Sequence, residues 1–354
     1  MIRSARSLRF VFVLVCALSA CGPSDEPPPP AEETADASTV RLVIALDLPD
    51  TLQRAVEDWA AGHRARVEWA SENEVESATL AEVEATRMHE LVAAGALRPM
   101  PDDALTSQWL AAAGRVDGTA YGLPWRAELT TLAADSPVDW PGLARAGEGL
   151  VMVAGCELTT YVALAAASGV AIQPGETHDL DLRTAEGVEA LSFLRRLAVR
   201  ARRVPAGDAW PDDVRAALLT SEDRAALPAG LSVQGLPGPD VAGPRRSAAR
   251  VRVLVVPVSG DHGDLGIELA RWLAAPARSE LLHARASDGL ALHREVSGDE
   301  NLAPWLELRP QACLTPTASV DASAWNDVLD EAVQAAVERR RAPRAALDEA
   351  WARR

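Results

Sequence analysis

The chain reads as an α/β protein of two lobes joined by crossing segments, and three observations point that way. Its 354 residues, 48% of them hydrophobic, suffice for two modest cores. From Val40 onward, short apolar strands alternate with helices of clear period, the pattern of α/β lobes. The stretch Val116–Asp135, V-D-G-T-A-Y-G-L-P-W-R-A-E-L-T-T-L-A-A-D, carries turn glycines at 118 and 122 and then Pro124, which holds the residue before it extended. An apolar-rich run with β-compatible threonines and no helical period follows. A turn, a Tyr-Gly-x-Pro step and a strand make a segment that crosses between lobes.

All 35 basic residues are arginine, and the net charge is −16. That balance argues against a nucleic-acid partner, which needs a basic face for phosphate. The front of the chain carries an address. Arg3, Arg6 and Arg9 precede an apolar core, Phe10–Leu18, too short to span a bilayer as a mature helix. Leu18-Ser19-Ala20-Cys21 resembles the lipobox of bacterial lipoproteins. That likeness implies a signal peptide over residues 1–20, a lipidated Cys21 and an extracytoplasmic protein held at a membrane. An ordinary secretory signal with a chance cysteine is the alternative. Residues 21–38, with Pro27–Pro30 among Asp and Glu, cannot bury a core and read as a stiff, solvated tether. Beyond the leader only Cys156 and Cys313 remain. Export permits a disulfide between them; two buried thiols are the other reading.

Taken in order, Val40–Leu46 is a buried-type strand. Asp50 or Thr51 can cap a helix whose face is Leu52, Val56, Trp59 and Ala60. Strands follow over 65–70 and 79–84. A short helix around Met88, Leu91 and Val92 stops at Gly95. After the crossing come a strand at 150–154, a small-residue helix from Cys156 to Ser168 closed by Gly169, and a helix capped by Thr184. Gly235–Pro244 is loop. Val251–Val258 is a strong strand and the second crossing, and Asp264 can cap the helix after it. A third crossing falls within Ala303–Pro316. The helix from Trp325 to Ala336 has the clearest period, and Pro343 opens a last one.

The crossing "GTAYGLPWRAELTTLAAD" resembles the first hinge segment of the family 1 extracellular solute-binding proteins, usually G-x-x-Y-G-x-P followed by Leu-Tyr-Tyr or Leu-Tyr-Asn. Here Ala133 and Ala134 replace the aromatics. "EVEATRMHELVAAGALRPM" is similar to the family's strand, short helix and "aGxLxPL" turn, closest to the trehalose/maltose-like branch. "CELTTYVALAAASG", "TAEGVEALSFLRRLA", "GIELARWLAAPARSELLHARASDGLALH" and the C-terminal helix pair resemble later family segments in the right order. The family's Gly-Gly-Trp before the second crossing is absent. The resemblance implies a type II periplasmic-binding-protein fold with about three crossings. The lobes expected are 39–127 with 250–303, and 128–249 with 304–354. It implies an ABC importer's binding lipoprotein with a small carbohydrate as ligand, disaccharides included. A monomer partnered by permease subunits is expected, with no cofactor and no metal.

Sugar recognition needs carboxylates or amides to accept from hydroxyls, arginines to donate, and an aromatic face over the ring's C–H groups. The resemblance places Glu84 and Glu128 where the branch carries Asp, and Glu157 on the family's ligand-facing Glu. Thr159 falls on a position often aromatic, and Trp325 near the sugar-stacking aromatic. Trp125 and Arg126 lie on the crossing, and Asp47 ends the first strand, where α/β sheets present ligands. Several have a plainer reading: hinge packing for Trp125, a solvated or ion-paired arginine for Arg126, a surface carboxylate for Glu84, helix-dipole complement for Glu157, core for Trp325. No H-E-x-x-H, G-x-S-x-G or G-x-G-x-x-G occurs, so no enzyme is expected. Ser259–Asp264 does turn work. Two rival functions stand: a binder of another solute, such as a polyamine, and a lipoprotein that keeps the fold for an envelope interaction or sensing role.

Overall fold

A computed structural model describes residues 39–172, 181–206, 208, 210–240, 242–285, 288–298, 300–315 and 322–354. The leader, Cys21 and the tether lie outside these residues. The first strand, β1 (Val40–Ala45), pairs in parallel with β2 (Ala65–Trp69) and with β3 (Leu80–Glu84). Helix α1 (Asp50–Gly62) connects β1 to β2 and buries Leu52, Val56 and Ala60. Its cap is Pro49, with no side-chain cap bond. Asp50, expected as the cap, is instead in the first turn, where its charge complements the dipole. A 3-10 turn at Glu72–Ser77, closed by a capping box between Ser71 and Glu74, joins β2 to β3. Helix α2 (Ala85–Ala93) follows β3 directly and ends before Gly95, whose φ of +67° favours glycine.

A small ribbon, β4 (Arg115–Val116) with β5 (Thr119–Ala120), leads into β6 (Gly122–Ala134), buried along almost its whole length. Then come α3 (Trp140–Ala146), β7 (Leu150–Val153), α4 (Glu157–Ala167) and α5 (Ala185–Arg200). Thr184 caps α5, accepting from the Gly187 N–H at 3.1 Å. Strands β8 (Arg202–Val204), β9 (Ala216–Thr220) and β10 (Ser232–Gln234) precede β11 (Ser247–Val255). Helix α6 (Gly263–Leu273) is capped by His262 at φ +59°. Asp264, the expected cap, therefore sits one residue inside it. After α7 (Pro276–Ser279) come β12 (Leu290–Ala291), α8 (Ala303–Leu306), β13 (Ala312–Leu314), α9 (Ala322–Val337) and α10 (Pro343–Ala352), which Pro343 opens as expected.

Among the described residues the main sheet runs β2-β1-β3-β11-β6-β9-β7-β8. The parallel sets β2-β1-β3 and β9-β7-β8 point in opposite directions, because the three junctions between them, β3 to β11, β11 to β6 and β6 to β9, are all antiparallel. The two long strands link the sets, β11 pairing with β3 and β6 with β9. The early half of β6 pairs with the β11 residues that also face β3, and its late half pairs with β9. β13 adds to the start of β11 in parallel, so a third segment enters at the same place. The register of β6 on β11 slips at Trp125: Arg126 faces Arg252 and Pro124 faces Val253. Pro124 has no N–H to give the ladder, and a bulge is where a strand tolerates that.

One apolar core gathers β1, α1, α6 and the start of β6, with Leu42, Leu52, Leu80, Trp125, Leu254 and Leu269 in it. A larger one gathers α4, α5, α9 and α10 around β7 and β9, and extends to Val83 and Met88. Cys156 and Cys313 are both buried and both free, so the permitted disulfide does not form in this structure. The Cys156 Sγ points at the Val153 carbonyl, 3.0 Å away, and Cys313 lies in β13. Burial pushes each thiol up to about 12, and reaction needs a thiolate. A thiol reagent should therefore titrate no sulfhydryl of Cys156 or Cys313 in the folded protein and both after unfolding. A reductant should leave the melting temperature unchanged; a drop would restore the disulfide.

Candidate functional site

The junction of β3 and α2 meets the middle of β11 at one charged groove. Glu84, the last residue of β3, is exposed and borders three hollows. The first, about 270 Å³, has Glu84 and Thr86 on one wall, Arg250 of β11 on its floor, and Asn326, Asp327 and Asp330 of α9 opposite. A second, about 810 Å³, opens from Glu84 along Glu74–Ser77 and Arg87. A third, directly over the crossing strands, holds about 20 Å³ between Glu128, Glu222, Arg250 and Arg252. Side chains of the protein fill the space there. Among the described residues no Trp, Tyr or Phe borders any of the three.

The electrostatics follow from strand parity. Arg250 and Arg252 are two apart on β11 and share a face. Glu82 on β3 and Arg126 on β6 flank that strand. The Arg126 guanidinium donates twice to Glu82, from Nε at 2.9 Å and from Nη2 at 2.7 Å, and once to the Asp288 carbonyl at 3.2 Å. Arg252 approaches the same carboxylate at 3.5 Å. Glu128, on the same strand, lies 4.0 Å from Arg250. Burial pushes Glu128 up to about 6, with Arg250 pulling the other way and Glu222 adding to the rise. Burial also raises Glu222 and Asp330 above the usual carboxylate range. Carboxylates thus outnumber arginines in the first hollow, where Glu84, Asp327 and Asp330 surround Arg250.

Of the residues expected from the sequence, Glu84 and Glu128 border the groove, and Arg126 lines its floor but is taken up by Glu82. The others lie elsewhere. Trp125 is 0% exposed and packed in the first core, so it presents no face to a ligand. Trp325 is turned from the groove; its ring meets Trp351 edge-on, centroids 5.8 Å apart, because the apolar faces of α9 and α10 need each other. Glu157 is buried, accepting from the Gly155 N–H at 2.9 Å and pairing with Arg203 at 3.3 Å. Thr159 is buried and bonded to Thr130 at 2.5 Å and to the Cys156 carbonyl at 3.0 Å. Asp47 is exposed; its carboxylate lies 3.4 Å from Arg285 and borders none of the three hollows.

Sequence reasoning missed Arg250, Arg252, Asp327 and Asp330. The first two had a signal, the alternation R-V-R-V of β11. Asp327 and Asp330 had a weaker one, being two carboxylates three apart on a helix whose apolar face was already assigned.

The fold that carries this groove is that of the type II, two-lobe α/β solute-binding proteins. No family model matches the chain, and no curated protein matches it in sequence. By structure it is similar to the sugar-binding protein MalE from the phytopathogen Xanthomonas citri, at 16% identity and a TM-score of 0.70, over 89% of this chain and 96% of that one. A cyclo/maltodextrin-binding protein complexed with maltotetraose aligns at 16% identity and 0.68, over 89% and 96%. A solute-binding protein from Thermotoga lettingae bound with α-D-tagatose aligns at 17% and 0.67, over 88% and 98%. At these identities the likeness establishes the architecture.

Proposed function

We propose that this chain is an extracytoplasmic solute-binding protein that holds a small carbohydrate at the Glu84–Arg250 groove and delivers it to an ABC importer. The observation that carries the reading is the first hollow. It sets carboxylates, an amide and an arginine around a space of about 270 Å³ beside the crossing strands, the donor and acceptor set that hydroxyls need. Two of the similar structures are complexes, one with maltotetraose and one with α-D-tagatose. Residues 39–127 with 250–303 form one lobe and 128–249 with 304–354 the other; the first core falls wholly within the former. Closure about β6 and β11 would shed water and strengthen each hydrogen bond. The protein acts by binding alone, as a monomer anchored through a lipid on Cys21. With no aromatic among the described residues that border the hollows, recognition rests on hydrogen bonds rather than stacking.

The surplus of carboxylates around Arg250 favours one second reading, a cationic solute such as a polyamine. One panel separates the two. Melting temperature is followed against maltose, trehalose, maltotriose, tagatose, spermidine and putrescine. A ligand at 100 times its Kd adds about 2.7 kcal/mol. A saturable rise of several degrees with a saccharide supports the first reading. A rise with spermidine alone replaces it by the second. Silence throughout sinks both and leaves the interaction role.

A further inference from the structure

Arg250 is placed unlike the other arginines of the groove. Arg126 is held twice by Glu82 within 2.9 Å, and Arg252 shares that carboxylate. Arg250 has two long contacts: Nη1 lies 4.0 Å from Glu128, and Nη2 donates at 3.5 Å to the carbonyl of Gly155. Those contacts tie the crossing strand β11 to β6 and to the turn before α4. The guanidinium also floors the 270 Å³ hollow and borders the 20 Å³ one. Among the described residues it is the one basic side chain bordering the 270 Å³ hollow, and what it holds there is weakly held. A ligand oxygen in the larger hollow can take its N–H groups at little cost in existing bonds.

Drawing Arg250 toward a ligand acts on Glu128. The groups facing that carboxyl are Arg250 from β11, Thr220 from β9, and Glu222 and Asp223 from the turn after β9. The other charges of the small hollow are Glu84, Arg126, Arg252 and Asp288; Arg126 and Arg252 are engaged by Glu82, and Asp288 by Arg285 at 2.8 Å. Among its facing groups Arg250 is the cation, and Glu222 and Asp223 repel its charge. Resting on the carbohydrate reading above, we propose that Arg250 is the ligand-positioning residue of the groove and that its transfer from Glu128 to a ligand oxygen is accompanied by proton uptake at Glu128. The balance is simple: one long ion pair is given up, a hydrogen bond to ligand forms, and a solvent proton neutralises the carboxylate left behind. Burial already holds Glu128 near 6, so losing its cation moves it further up.

Two measurements on the full chain test this. In the ligand-free protein, carbon-13 NMR of the Glu128 carboxyl should show its midpoint rise by about one pH unit in Arg250→Gln; an unmoved midpoint overturns the coupling. The sign in stability is fixed too. Between the ordinary carboxylate value and about 6 the folded state holds more protons than the unfolded one. Stability therefore falls as pH rises through that window, and Arg250→Gln should extend the fall to higher pH. The second measurement is calorimetric titration with maltose, trehalose and maltotriose at pH 6.5 in two buffers of different ionisation enthalpy. The heats should differ by uptake on the order of half a proton, and Glu128→Gln should abolish the difference. Equal heats in both buffers, or an equal difference in Glu128→Gln, overturn the proposal and leave the carbohydrate reading standing. No heat from any saccharide overturns both.

Discussion

Arg126→Ala is expected to cost about 3–5 kcal/mol of stability, seen as a lowered denaturant midpoint with an unchanged slope. The reason is what the substitution leaves behind. Glu82 has a side chain only 3% exposed, and Arg126 gives it both of its short charge-assisted bonds. Without them a carboxylate stays buried with Arg252 at 3.5 Å as its remaining cation, which places the cost toward the lower end of that range. Replacing both partners, Glu82→Leu with Arg126→Met, should cost far less, since removing a buried pair together strands no charge. Had Arg126 been held in reserve for a ligand, the single substitution would abolish binding and spare stability. A cost below about 1 kcal/mol, with binding lost, would show that.

Trp125→Ala should cost a similar amount, about 3–5 kcal/mol, through the cavity it opens between Leu123, Leu254 and Ala291 in the first core. Trp125→Phe should cost much less. Among the described residues the indole N–H has no hydrogen-bond partner, so the smaller ring gives up volume and no bond. The backbone of Trp125 is a separate matter: its carbonyl accepts from the Leu292 N–H at 2.9 Å, which either substitution preserves. Saccharide affinity per folded molecule should be unchanged in Trp125→Phe. A variant that melts like the wild type but no longer responds to sugar would return Trp125 to the site.

Glu84 and Trp125 show where legibility began and ended. Glu84 was singled out by the resemblance, which puts an Asp there, and the structure sets it at the end of a buried strand, where such sheets are open. Trp125 was not readable. It lies on a strand covered on both faces, and there alternation does not tell a groove-facing residue from a core one. The slip in register at Pro124–Arg126 then moves the side-chain parity by one, and only the partner strand reveals it. Trp325 failed differently. Its helical spacing fitted the apolar face, and that plainer reading is the one the structure bears out. Glu157 occupies the expected turn, yet Gly155 and Arg203 absorb its carboxylate.

What the sequence determined by itself was the order and kind of the elements. Pro124 and the run after it made a crossing strand, Gly95 and Gly169 ended helices, Thr184 and Pro343 began them, and the period over Trp325–Ala336 marked α9. These are local effects of φ preference, capping and amphipathic spacing, and they act within a few residues. The tertiary structure alone decided which charges meet. Arg250 meets Asp330 and Glu128 because β11 and α9 border one hollow and β11 runs beside β6, and Arg126 is taken up because β3 brings Glu82 to it. The two cysteines stay apart as thiols in separate elements for the same reason. An ion pair or a groove is a relation between distant segments. Its energy depends on separation and burial, quantities that a linear pattern of residues does not contain.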